Sequence, residues 1–185
     1  MNEVVFVGGS RHVARLNPSV RERLDRIIER ELPVVIGDAN GADKAMQQYL
    51  HGRGYRNVEV FCSDGHCRNN VGEWKVRAIA VATRERDFRF YSAKDQQMAE
   101  AATVGFMIWD GKSIGTLVNV YRLLSQDKKV VVYTVPSKKF DELRGAAGWA
   151  AFIGRCGAEL RDKMQQRAVL EAPGRRSSVQ TSLSF

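Results

Sequence analysis

The chain has 185 residues and a formal net charge of +8, from 29 Lys and Arg against 21 Asp and Glu, with 44% hydrophobic and 27% charged residues. That is ordinary globular composition at a length suited to one domain with a sizeable core. No apolar run approaches the ~20 residues of a membrane-spanning helix. Glu3 and the lack of basic residues before the first apolar run argue against a secretory signal. Three cysteines, Cys62, Cys67 and Cys156, are too few for a disulfide framework and suit a reducing cytoplasm.

Residues 4–7 are an apolar run ending at Gly8 and Gly9, the mark of a buried strand. Asn17 and Pro18 suit the cap and first position of a helix, and Val20, Leu24, Ile27 and Ile28 share one face of it before Pro33. A second strand follows at 34–36, then a Gly-containing loop at 37–41 and a helix over 42–52, stopped by Gly52 and Gly54. A third strand is predicted at 58–61. The polar, Gly- and Asn-rich stretch 62–72 reads as a loop, 74–82 as a helix, and 84–89 is charged and ambiguous. A helix at 93–102 turns Met98, Ala101 and Ala102 inward. A strand at 104–109, a tight loop at 110–113, a helix at 114–124 and a strand at 130–133 continue the alternation. No further strand is predicted past Pro136. Residues 149–170 read as one or two amphipathic helices, and the polar, Ser-rich 172–185 as a disordered tail.

Short, near-continuously apolar strands alternating with helices predict an α/β fold. It is Rossmann-like and three-layered (α/β/α), with a mainly parallel sheet of about five strands and right-handed connections. The expected organisation is a nucleotide-binding domain at 1–135, a helical extension at 136–171 and a tail at 172–185. The positive charge favours anionic ligands such as nucleotides and permits weak nucleic-acid contact. It is spread along the chain with no block of five like charges, as on any well-solvated surface.

Three Gly-containing loops each follow a predicted strand directly: GGSR at 8–11, GDANGAD at 37–43 and DGKSIGT at 110–116. In an open parallel sheet all three lie at the carboxyl edge, where such folds bind ligands. Glycines let a ligand approach the backbone, and N–H groups at a helix start attract phosphate. Ser113 and Thr116 add hydroxyls, and Arg11 can pair bidentately with a phosphate or carboxylate. None of the loops is a Walker A motif or a G-x-G-x-x-G fingerprint.

The order VFVGGSR, GDANGAD, KDQQMA and WDGKSIGT, each of the Gly-containing motifs directly after a strand, resembles the SLOG superfamily. This Rossmann-like group is named for the Smf/DprA and Lonely Guy proteins, and the pattern is nearest its small stand-alone bacterial and phage branch. The resemblance spans roughly residues 3–133. It implies a single-sheet fold that binds nucleotides or nucleotide-derived ligands, and some of its members cleave N-glycosidic bonds. By that resemblance Gly8, Gly9, Ser10 and Arg11 form a first ligand loop. Gly41, Ala42 and Asp43 belong to a second loop, with Gly37, Asp38 and Asn40 beside them. Lys94 and Met98 match a basic residue and a Met, the former reaching toward a ligand phosphate. Gly111, Ser113, Gly115 and Thr116 match a phosphate-binding turn. Lonely Guy phosphoribohydrolases carry a catalytic Glu three residues after the Gly-Thr pair. Here that position is Asn119, which cannot act as a carboxylate acid or base.

Asp38, Asp43 and Asp110 also sit on the candidate edge. Asp43 and Asp110 are the candidate catalytic carboxylates, able to attack or stabilise an oxocarbenium-like sugar. They could equally bind ribose hydroxyls, brace a helix start (Asp43) or shape a turn (Asp110). Cys62, His66 and Cys67 lack zinc-site spacing and a fourth ligand, so neither a metal nor a cofactor is expected. The segment is read as a loop over the ligand edge, with Arg68, Asn69, Asn70 and Trp74 able to contact a base or phosphate unless Trp74 is core.

The expected function is that of a cytoplasmic binding protein, a sensor or carrier for a nucleotide held through phosphate and ribose. The alternatives are an N-glycosidase or deoxyribosyl-transfer-like enzyme on nucleoside monophosphates, and a nucleic-acid-binding module. A homo-oligomer is expected from the resemblance, and no membrane partner.

Overall fold

A computed structural model describes residues 3–80 and 88–171. Most of the ambiguous 84–89 stretch and the 172–185 tail lie outside these residues.

The elements in chain order are β1 (Val5–Gly9), α1 (Pro18–Glu29), β2 (Val34–Gly37), α2 (Ala42–Gly52), β3 (Val58–Ser63), β4 (Lys75–Ile79), α3 (Phe88–Ala101), β5 (Val104–Trp109), α4 (Ile114–Ser125), β6 (Lys129–Thr134), β7 (Lys139–Leu143), α5 (Gly145–Gly154) and α6 (Ala158–Glu171). They build one seven-stranded sheet in the order β4-β3-β2-β1-β5-β6-β7, parallel except for β7. The three-layer α/β architecture is therefore as expected, with two strands more than the sequence predicts.

Alternate residues of the strands enter two cores. Val5, Val7, Ile36 and Ile108 pack with α1 and α2 through Val20, Leu24, Met46 and Leu50. Phe6, Val35, Met107 and Trp109 pack on the other face with Met98, Leu117, Leu123 and Phe152. Burial on both faces explains the continuous apolar runs. The Asn17 side chain accepts from Ser19 N at 3.0 Å and Pro18 follows it, which starts α1 where the sequence places it.

Three expectations need correction. Residues 75–79 are not helical. KVRAI is an exposed edge strand parallel to β3, with Lys75 and Arg77 both bonded to Glu59 across the ladder. The alanines and charges of 74–82 favour a helix locally, and pairing with β3 overrides that preference. Past Pro136 the chain makes a turn with Lys138 at φ 54° and returns as β7 antiparallel to β6 before α5 and α6. On this edge strand Glu142 pairs with Lys129 at 2.7 Å and Asp141 with Arg155 at 2.7 Å, so it shows no apolar signature. Finally, Cys62 and Cys67 are bonded to each other across a turn in which Asp64 and Gly65 both have positive φ, leaving Cys156 free. Counting cysteines tests for a framework and says little about one local bridge. Among the described residues no helix is long and apolar enough to cross a membrane.

Candidate functional site

β1 pairs with β2 on one side and with β5 on the other. The loops after β1 and β5 consequently diverge and leave a crevice at the carboxyl edge, the position where open α/β sheets hold ligands. A cavity of about 940 Å³ lies there, within the size range of small-molecule sites. The ends of β1 and β5, the start of α4, and Lys94, Asp95 and Met98 from α3 wall it.

The glycines serve close packing first. A Cβ on Gly9 would lie 2.4 Å from Ile108 O and 2.9 Å from Ala42 Cβ. A Cβ on Gly37 would lie 2.5 Å from Asp43 Oδ2 and 2.7 Å from Lys94 Nζ, so this position keeps open the space where those two side chains meet. Gly41 lets the first loop cross the second, where Ala42 N donates to Ser10 O at 3.0 Å.

Lys94 is the electrostatic centre. Only 3% of the residue is exposed, and its Nζ lies 3.4 Å from Asp38 and 3.3 Å from Asp95. Burial opposes its charge, but Asp95, Asp43 and Asp38 outweigh burial and raise its pKa. Burial likewise pushes Asp38 up. The Arg68 side chain and backbone N–H, with Lys94, overcome this and hold the carboxyl below its usual range. Asp43 is different. Burial dominates and raises it from 3.8 to about 6, despite Lys94 and a 3.3 Å bond from Ala39 N.

Asp43 therefore sets a pH dependence. Between the usual carboxylate range and about pH 6, the folded chain keeps a proton that the unfolded chain releases. Stability should fall as pH rises through that window, by about 3 kcal/mol at most. In Asp43→Asn the fall should be largely absent. Urea midpoints between pH 4.5 and 7.5 measure it, and equal slopes for the two proteins would refute the assignment.

Asp110 closes its own loop. Its Oδ1 accepts from Lys112 N at 3.0 Å and Ser113 N at 2.7 Å, and its Oδ2 accepts from Ser10 Oγ at 2.7 Å. Burial raises its carboxyl, but these bonds prevail and hold it below the usual range. Asp110 thus ties the end of β1 to the start of α4. Ser113 caps α4, accepting from Thr116 N at 3.4 Å. Asn119, one turn on, donates to Asp95 at 3.1 Å and accepts from Arg122 at 2.8 Å, while Arg122 also bonds to Ser92.

No family model and no curated protein matches the chain. Among solved structures, one of DNA processing protein A from Helicobacter pylori, described for its unique single-stranded DNA binding mode, matches with a TM-score of 0.56. The identity is 13%, over 91% of this chain and 81% of that one. The chain has the fold of DNA processing protein A. That protein is of the Smf/DprA family, so the fold expected from the resemblance is the fold found.

The cavity gathers most of the residues singled out in the sequence: Gly8, Gly9, Arg11, Asp43, Lys94, Met98, Asp110, Ser113, Gly115, Thr116 and Asn119. Ser10, Gly37, Asp38, Asn40, Gly41, Ala42 and Gly111 are not in its wall. Asn40 is held by Asn69 at 3.0 Å, and Asp38 by Arg68. The 62–72 segment is a strap. Gln47 bonds Gly37 O, Asn69 O and Val71 N, Asn70 clasps the Trp74 backbone, and Trp74 is core, donating to Tyr55 O at 2.9 Å. The bonds of Arg68, Asn69 and Asn70 are thus internal.

Sequence reasoning missed Asp95, Arg122, His12 and Lys112, which also line the cavity. Asp95 directly follows Lys94, so the KDQQMA motif held it in view. The signal for Arg122 was its place one turn after Asn119 on the same helix.

Proposed function

We propose that the chain is a SLOG-type protein whose cavity binds a nucleoside phosphate as a sensor or carrier. The observation that carries this reading is one cavity lined both by a helix start and by a buried carboxylate–lysine cluster. The first turn of α4 lines it, where a Cβ on Gly115 would meet nothing within 4 Å, together with Lys112, His12 and Arg11. Helix N–H groups and cations suit a phosphate. Asp43 and Asp95, with Lys94, line it too, a set suited to ribose hydroxyls. Asn119 serves as the brace of Asp95 rather than as an acid or base.

Titration calorimetry with nucleoside 5′-monophosphates, the matching nucleosides and inorganic phosphate tests this. The monophosphate should bind roughly tenfold or more tighter than the nucleoside. Gly115→Asp places a carboxylate in the phosphate position and should abolish binding. Its melting temperature should hold or rise slightly, since an acid in a first helical turn contributes ~0.3–1 kcal/mol. If wild type binds no monophosphate, the reading fails. Free base appearing in the same incubations would make the protein an N-glycosidase, with Asp43 as the working carboxylate because Asp110 is fully engaged. A homo-oligomer belongs to the same proposal, measured by light scattering.

A second reading is single-stranded nucleic acid with its terminal nucleotide in this cavity. The binding mode ascribed to the H. pylori protein favours it, as does the net charge of +8. Its mark is steep salt dependence of oligonucleotide binding.

A further inference from the structure

The turn from Trp109 to Ser113 is a ridge with a cavity on each side. Asp110 and Ser113 face the cavity described above, Trp109 and Gly111 face a second cavity of about 880 Å³, and Lys112 lines both. The second cavity is closed by the β6–β7 turn through Pro136 and Lys139 and by the α5–α6 junction through Phe152 and Leu160. Its two carboxylates are already committed, Asp141 to Arg155 at 2.7 Å and Glu159 to Lys163. Lys112 and Lys139 have no carboxylate partner among the described residues, so two cationic groups, one on the ridge and one on the wall formed by the β6–β7 turn, remain for an anion. The volume far exceeds that of a phosphate. The wall is partly apolar, with Phe152 packed against Trp109 at 5.5 Å between ring centroids. A cavity with an apolar wall and a cationic rim suits a base with its phosphate.

Resting on the nucleoside phosphate reading, we propose that the second cavity takes the next unit of a ligand made of two phosphate-linked nucleosides. The first nucleoside lies in the cavity at β1 and β5. The linking phosphate crosses the ridge at Lys112 and meets Lys139 beyond it, and the second base meets the wall formed by Pro136, Phe152 and Leu160. Two cavities of similar size sharing one unpaired lysine are what such a ligand requires. Oligonucleotides and 5′–5′ pyrophosphate-linked dinucleotides share this chemistry.

The test is calorimetry with three probes: the nucleoside 5′-monophosphate that binds best, its 5′-phosphorylated 3′–5′ dinucleotide, and its 5′–5′ pyrophosphate-linked dinucleotide. One of the two dinucleotides should bind about tenfold or more tighter than the monophosphate, and which one does so identifies the source. Lys139→Glu, an exposed change, should remove that advantage and leave the monophosphate Kd unaltered. Equal affinity for all three probes, or a full advantage retained in Lys139→Glu, overturns the second subsite while the first reading stands. Failure of the monophosphate itself to bind overturns both.

Discussion

Lys94→Met is expected to lower stability at pH 7.5 by about 3–5 kcal/mol, the usual consequence of removing one partner from a buried ionic cluster. Methionine fills much of the same volume, so the loss is electrostatic. Asp38, Asp43 and Asp95 would be left around an apolar side chain, with Arg68 still paired to Asp38. The sign of the pH effect follows. Asp43 is already raised to about 6 with Lys94 present, and without the cation it rises further. At pH 5 it is protonated in both proteins, so the deficit of the variant should shrink there. Urea denaturation at pH 7.5 and pH 5 measures both quantities. A variant as stable as wild type at pH 7.5, or an equal deficit at both pH values, would remove Lys94 from the centre of the site.

Gly41→Ala should be the most damaging single methyl in the Gly-containing loops at the carboxyl edge. Gly41 has φ 81° and ψ −126°, a region that side-chain-bearing residues do not adopt without strain. Its Cβ would also lie 2.2 Å from the Arg11 carbonyl oxygen, which is backbone and cannot rotate away. Strain and overpacking together cost roughly 2–6 kcal/mol, a fall in Tm of roughly 5–20 °C for a chain of this size. Gly115→Ala is the control, since nothing lies within 4 Å of its Cβ. The two alanine variants melting together would show that the crossing of the first two loops is not needed for the fold.

The legible part of the fold was its interior. β1, β2, β3, β5 and β6 are covered on both faces, so their apolar runs announce them without reference to any partner. β4 and β7 are the two edges. KVRAI and KFDEL carry charges of which Lys75, Arg77 and Glu142 are paired across the ladder by Glu59 of β3 and Lys129 of β6, so their strand state depends on pairing partners that local pattern does not reveal. The Cys62–Cys67 bridge was hidden for a similar reason, because it depends on the turn between them.

The site divides in the same way. Gly after a buried strand, then a helix cap, is a local statement, and GGSR, GDANGAD and DGKSIGT could be placed at one carboxyl edge from order alone. Asp43 and Asp110 also stood out, but their characters did not. Asp110 is engaged by Ser10, Lys112 and Ser113, while Asp43 is buried beside Lys94 and raised. Nothing in the chemistry of an Asp side chain distinguishes them. The residues themselves determined the sheet interior and the position of the Gly-containing loops, because burial and backbone freedom are written into each segment. Tertiary structure alone decided which carboxylate is held ionised and which is raised, and that Asn119 braces Asp95, because each charge answers to groups brought in from other elements.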